Sequence, residues 1–118
     1  MKTLINLEEA VQFIGAYLFT LYLGIDWWWF WAWLLAPDIS MIGYLINTKV
    51  GAFTYNLAHH KGIAILIIIS GVYTANVNLQ FAGWLLLGHS AMDRMLGYGL
   101  KYSDNFKHTH LGMIGKKE

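Results

Sequence analysis

The chain has 118 residues, 57% hydrophobic, 16% aromatic and only 13% charged, about half the charged fraction that covers a soluble domain. A formal net charge of +1 offers no basic surface for nucleic acid, and the lack of cysteine excludes disulfides, thiolate nucleophiles and cysteine-ligated zinc or iron–sulfur sites. Apolar stretches of spanning or near-spanning length consume nearly the whole sequence, so a single integral-membrane domain over residues 1–118 is expected.

The first stretch, residues 9–23, ends at the turn signal Gly24-Ile25-Asp26. Lys2 is followed by Glu8 and Glu9, and no small-x-small site follows Tyr22, so this stretch is read as the start of the fold and not as a cleavable signal. The second, residues 27–46, opens on Trp27-Trp28-Trp29-Phe30-Trp31, which reads as an interfacial aromatic belt, and is interrupted by Pro37. The third, residues 50–73, carries a kink expected at Gly62. The fourth, residues 79–96, gives way to Gly97-Tyr98-Gly99, and a polar tail, residues 101–118, follows with His108-Thr109-His110. An exposed histidine pair of that kind is usually incidental. Strand-type alternation and internal repeats are absent, so the pattern predicts an all-α fold, a four-helix transmembrane bundle.

Lys2, Lys49, Arg94, Lys101, Lys107, Lys116 and Lys117 fall at or near one side of such a bundle, while the loops around Asp26 and Asn76 to Asn78 carry no basic residue. Both termini are therefore expected to be cytoplasmic. Lys61 does not fit and requires a cavity, a lipid headgroup or a broken helix.

Ionisable residues inside apolar spans cost on the order of 3 kcal/mol or more, which makes them pointers to function. At a rise of about 1.5 Å per residue, Asp38 lies roughly 17 Å from the outer end of its span. His59 lies roughly 15 Å from the inner end of the third span, and His89 roughly 15 Å from the outer end of the fourth. Three spans thus bring polar groups to one depth, with Asp93 one turn nearer the cytoplasm.

His89 and Asp93 are four residues apart on one helix face and read as a ligand pair, or as an imidazole oriented by a carboxylate. Asn56 and His59 share a face, so Asn56 is expected to orient His59. His60 points roughly 100° away and suits a cavity mouth or headgroups. Pro37 frees a carbonyl near Trp33, and Asp38 follows the break as a site acid or a helix cap. Arg94 either snorkels or pairs with Asp93. Asp38, His59, His89 and Asp93 together form a sulfur-free set suited to Zn²⁺, Mn²⁺ or Fe²⁺, with zinc favoured by a tetrahedral arrangement. The metal-free alternative is a proton relay.

Ala36 to Tyr44, Gly51 through His59, His89 through Lys101 and Thr109-His110-Leu111-Gly112 resemble a family of small bacterial integral-membrane proteins known as domain of unknown function 4260. The resemblance covers nearly the whole chain. It implies the membrane fold and the bacterial inner (cytoplasmic) membrane, and no activity. Pro37-Asp38, His59-His60 and His89-x-x-x-Asp93 with Gly97 are also similar, more weakly, to membrane-bound metal-dependent hydrolases of the phospholipase-like kind. Ser40 stands where their second acid would be, and the third span lacks their His-x-x-x-x-His spacing.

The leading expectation is a divalent-metal-dependent hydrolase acting on a lipid or other amphiphile. Asp38, His59, His89 and Asp93 hold the metal, and whichever is unligated serves as general base. The other readings are an oligomeric ion, proton or small-solute transporter, and an accessory subunit of a larger membrane complex. The lipid bilayer, a lipid substrate and further copies of the chain are the expected partners.

Overall fold

The computed structural model describes residues 1–104 and 107–114, with only the backbone of His108. Lys116, Lys117 and the His108 side chain, used above, lie outside the described residues. Within these limits the fold is all-α apart from one short hairpin: α1 (Lys2–Tyr22), α2 (Trp27–Trp33), a 3-10 segment (Ala36–Leu45), α3 (Thr48–His59), α4 (Lys61–Tyr73), α5 (Val77–Met95), then β1 (His108–Thr109) and β2 (Gly112–Met113).

The expected interruption at Pro37 is present, and the kink expected at Gly62 lies elsewhere. Residues 27–46 do not form one helix. Pro37 lacks an N–H and disfavours helical geometry at the residue before it, so α2 stops after seven residues and the chain continues as ten residues of 3-10 helix. The third stretch breaks at His60 and not at Gly62. His60 takes an extended conformation, and its Nδ1 accepts a hydrogen bond from the Ile63 N–H at 3.2 Å, capping α4. Helices α3 and α4 are bent by 47° at that point.

Among the described residues no single helix is long and apolar enough to cross a membrane; the bent pair α3–α4 meets that requirement by length and composition only. Large apolar side chains cover much of the surface. Val11 is 68% exposed, Leu66 63% and Leu45 85%.

The packing centres on α5, which lies between α1 and α4. A core of Ala16, Phe30, Leu34 and Leu85 joins α1, α2 and α5, with Phe13, Tyr17, Phe81, Trp84 and Met92 around it. Phe30 alone of the aromatic run is fully buried, and the tryptophans point outward. Against α4, Gly83 admits close backbone approach. A Cβ there would stand 2.8 Å from the Ile68 nitrogen and 2.9 Å from the Ala64 carbonyl oxygen. At the end of α5, Gly97 takes φ +91°, and the Tyr98 N–H reaches the Asp93 carbonyl at 2.7 Å, closing the helix. That turn sends the chain back over α3, where the Lys101 backbone exchanges two hydrogen bonds with the Asn56 side chain at 2.6 and 2.8 Å. Lys61 pairs with Glu9 and donates to Gln12 at 2.6 Å, so both a broken helix and a partner on α1 accommodate it.

Candidate metal centre

Three elements deliver the side chains of Asp38, His59, His89 and Asp93 to one point. Asp38 comes from the first turn of the 3-10 segment, His59 from the last turn of α3, and His89 and Asp93 from successive turns of α5. One ligand atom from each lies within 4.8 Å of all the others. His59 Nε2 stands 3.3 Å from Asp38 Oδ1 and 3.3 Å from Asp93 Oδ2. His89 Nε2 stands 3.1 and 3.3 Å from the same two atoms, and 3.0 Å from His59 Nε2.

Hydrogen bonds on the far side of each ring decide which way its lone pair points. A carbonyl oxygen can only accept, so His59 Nδ1 donates to the Tyr55 carbonyl at 2.8 Å, and His89 Nδ1 donates to the Leu34 carbonyl at 2.6 Å. In the neutral rings both Nε2 atoms are then bare acceptors, facing two carboxylates. Four acceptors converging without a donor among them call for a cation, either a proton on an imidazole or a metal ion.

The Leu34 carbonyl is available because of Pro37. In a 3-10 helix the N–H of residue 37 would bond to it, but proline has none, and the Asp38 N–H bonds instead to Leu35 at 3.1 Å. The carbonyl freed is thus that of Leu34, one residue beyond the expected Trp33. The Asp38 carboxylate faces the two imidazoles.

Tyr55 and Ser90 also belong to this site. The Tyr55 ring stacks on His59 with centroids 3.8 Å apart and planes at 7°, and its hydroxyl donates to Asp93 Oδ2 at 3.3 Å. Ser90 Oγ donates to the His59 carbonyl at 3.0 Å, a group left over where α3 ends. The buried Lys101 ammonium lies 4.7 Å from the Tyr55 ring centroid. Burial pushes its pKa down, against the pull of Asp93 and Asp38. Tyr55 stands one turn before His59, a spacing that hints at contact, whereas nothing in the spacing of Ser90 or Lys101 does so.

Three supporting residues go elsewhere. Asn56 holds the Lys101 backbone and not His59, because the α3 face it shares with His59 meets the returning tail. His60 is exposed and spends its Nδ1 on the α4 cap. Arg94, about 100° around α5 from Asp93, lines a separate cavity with Glu9 and His110. Ser40 is not a ligand. Its carbonyl accepts from Thr54 Oγ1 at 2.7 Å, and its own hydroxyl has no partner among the described residues.

Burial makes the centre asymmetric. The side chains of His89, His59 and Asp93 are 0%, 4% and 11% exposed, whereas that of Asp38 is 37% exposed. Access is therefore on the Asp38 side.

No curated protein and no solved structure shows a significant match to this chain. A family described as a domain of unknown function (DUF4260) matches residues 2–114, and the chain belongs to that family.

Proposed function

We propose that Asp38, His59, His89 and Asp93 bind a divalent metal ion and that the protein is a membrane-embedded hydrolase of a lipid or other amphiphile. The observation that carries this reading is the near-equality of the ligand separations. Five of the six edges of the four-atom cluster measure 3.0 to 3.3 Å, and a tetrahedron with bonds of about 2.0–2.1 Å has edges of about 3.3–3.4 Å. Two imidazoles and two carboxylates without sulfur suit Zn²⁺ first, then Mn²⁺ or Fe²⁺. The two Nδ1 hydrogen bonds to carbonyls are the outer contacts that commonly hold ligating histidines.

A bound divalent ion supplies Lewis acidity and a water that is acidic near neutral pH. The chain's own groups divide the remaining work. His59 and His89 stay fixed as lone-pair donors. Tyr55 holds Asp93 in place. Asp38, the exposed member, is the group that would give up its place on the ion to a water and, unligated, would take up that water's proton.

The bilayer reading rests on the exposed apolar surface and on the length and composition of the α3–α4 pair. Lys2, Arg94 and Lys101 then lie toward the cytoplasmic face of a bacterial inner membrane.

Elemental analysis of detergent-purified protein tests the centre. About one zinc or manganese per chain is expected, lost in His89→Ala and Asp93→Ala. A metal-free protein that keeps its fold overturns the reading. Metal-dependent release of acid from a short-chain phospholipid or acylglycerol, absent in the same variants, is expected for the hydrolase.

A further inference from the structure

A second site lies between the start of α1, the end of α5 and the C-terminal hairpin, a cavity of about 760 Å³, within the usual range for small-molecule sites. Its lining is of two chemical kinds. Ile5, Leu96, Met113 and Ile114 are apolar, while Lys2, Arg94, Glu9 and His110 bring charge and hydrogen-bonding capacity.

The charges do not balance within the cavity. Glu9 is the one carboxylate in the lining, and Lys61 already occupies it. Lys2 and Arg94 have no ion-pair partner among the described residues, and Arg94 is partly buried. His110 adds no charge to offset them. Burial and the neighbouring Arg94 guanidinium push its pKa down, and its Nδ1 accepts from the Leu100 N–H at 2.8 Å. A partly buried guanidinium and a lysine in one cavity with apolar side chains match an anion whose oxygens the planar fork can grip and whose body is greasy.

We infer that this cavity binds a phosphate ester through Arg94 and Lys2. The group it takes is either the headgroup of an anionic phospholipid or a free phosphate. The lining favours the lipid, because its apolar side chains would seat the start of the acyl chains. In the bilayer reading the site also lies at the cytoplasmic surface, where anionic headgroups concentrate. The inference does not depend on the metal centre. The bilayer reading bears only on which phosphate fills the cavity.

Two probes separate the sources: dioleoylphosphatidylglycerol titrated into protein in neutral detergent and read by native mass spectrometry, and inorganic phosphate read by calorimetry. Wild-type protein is expected to bind the lipid, with affinity falling tenfold or more in Arg94→Gln/Lys2→Gln and unchanged in Lys49→Gln, which stands outside the cavity. Phosphate binding that shows the same dependence, without lipid binding, assigns the site to free phosphate. Neither probe binding, or equal loss in the Lys49 variant, overturns the inference. Metal content measured on the same samples reports on the metal centre separately, and circular dichroism verifies that the variants are folded.

Discussion

The Nε2 atoms of His59 and His89 stand 3.0 Å apart, each with its lone pair turned inward because its Nδ1 proton is committed to a carbonyl. Two lone pairs at that distance repel, and the carboxylates of Asp38 and Asp93 add negative charge around them. A cation at the centre attracts all four groups and outweighs their mutual repulsion.

Metal removal is therefore expected to destabilise the fold. Because the four ligands come from three separate elements, an ion binds the folded chain and not the unfolded one. At a free metal concentration about 100 times Kd the stabilisation is about 2.7 kcal/mol. Thermal melts with and without a chelator measure it. An unchanged Tm after removal of bound metal would show that the cluster is stable without an ion.

Tyr55→Phe keeps the ring stacked on His59 and deletes only the hydroxyl that donates to Asp93. Metal affinity should fall about tenfold or more, in line with the loss of other outer contacts at metal sites, while stability drops by about 1 kcal/mol. Competition against a chromophoric chelator reads the first and a melt the second. Wild-type affinity would remove Tyr55 from the centre.

Pro37→Ala supplies an N–H that competes for the Leu34 carbonyl, the acceptor that holds His89. The expected outcome is weaker metal binding with helical content preserved or raised, since alanine is the better helix former. Circular dichroism and a metal titration check the two together. Unaltered affinity would mean that the proline break plays no part in positioning His89.

Glu9 and Lys61 form a nearly buried ion pair between α1 and α4, with side chains 9% and 17% exposed. Glu9→Gln alone should cost about 3–5 kcal/mol, because it strands the ammonium. Glu9→Gln combined with Lys61→Met should recover much of that loss. A double variant as unstable as the sum of the singles would show that the pair contributes no coupling.

The helical character and the choice of Asp38, His59, His89 and Asp93 were legible from residue identity alone. An ionisable group in an apolar run carries its desolvation cost wherever the run folds, so the four stand out before any contact is known. The breaks were less legible. Pro37 announced its own, since a missing N–H is a local fact. The break at His60 rests on an imidazole acting as a helix cap, which apolar periodicity does not register, and the pattern favoured Gly62 instead. Arg94 is adjacent to Asp93 in sequence, but the helix turns it toward another cavity.

Composition and spacing by themselves determined an all-α chain with an unusual share of apolar residues, and singled out four polar side chains within its apolar stretches. These follow from the cost of burial and from helical periodicity, both of which are properties of the residues in order. Only the tertiary structure decided that the four meet within 4.8 Å, that both histidines present Nε2, and that Tyr55 and Ser90 support them while Asn56 does not. Those outcomes depend on where carbonyls and rings from distant segments point once α5 has packed against α1 and α4, and direction in space is not encoded in the spacing along the chain.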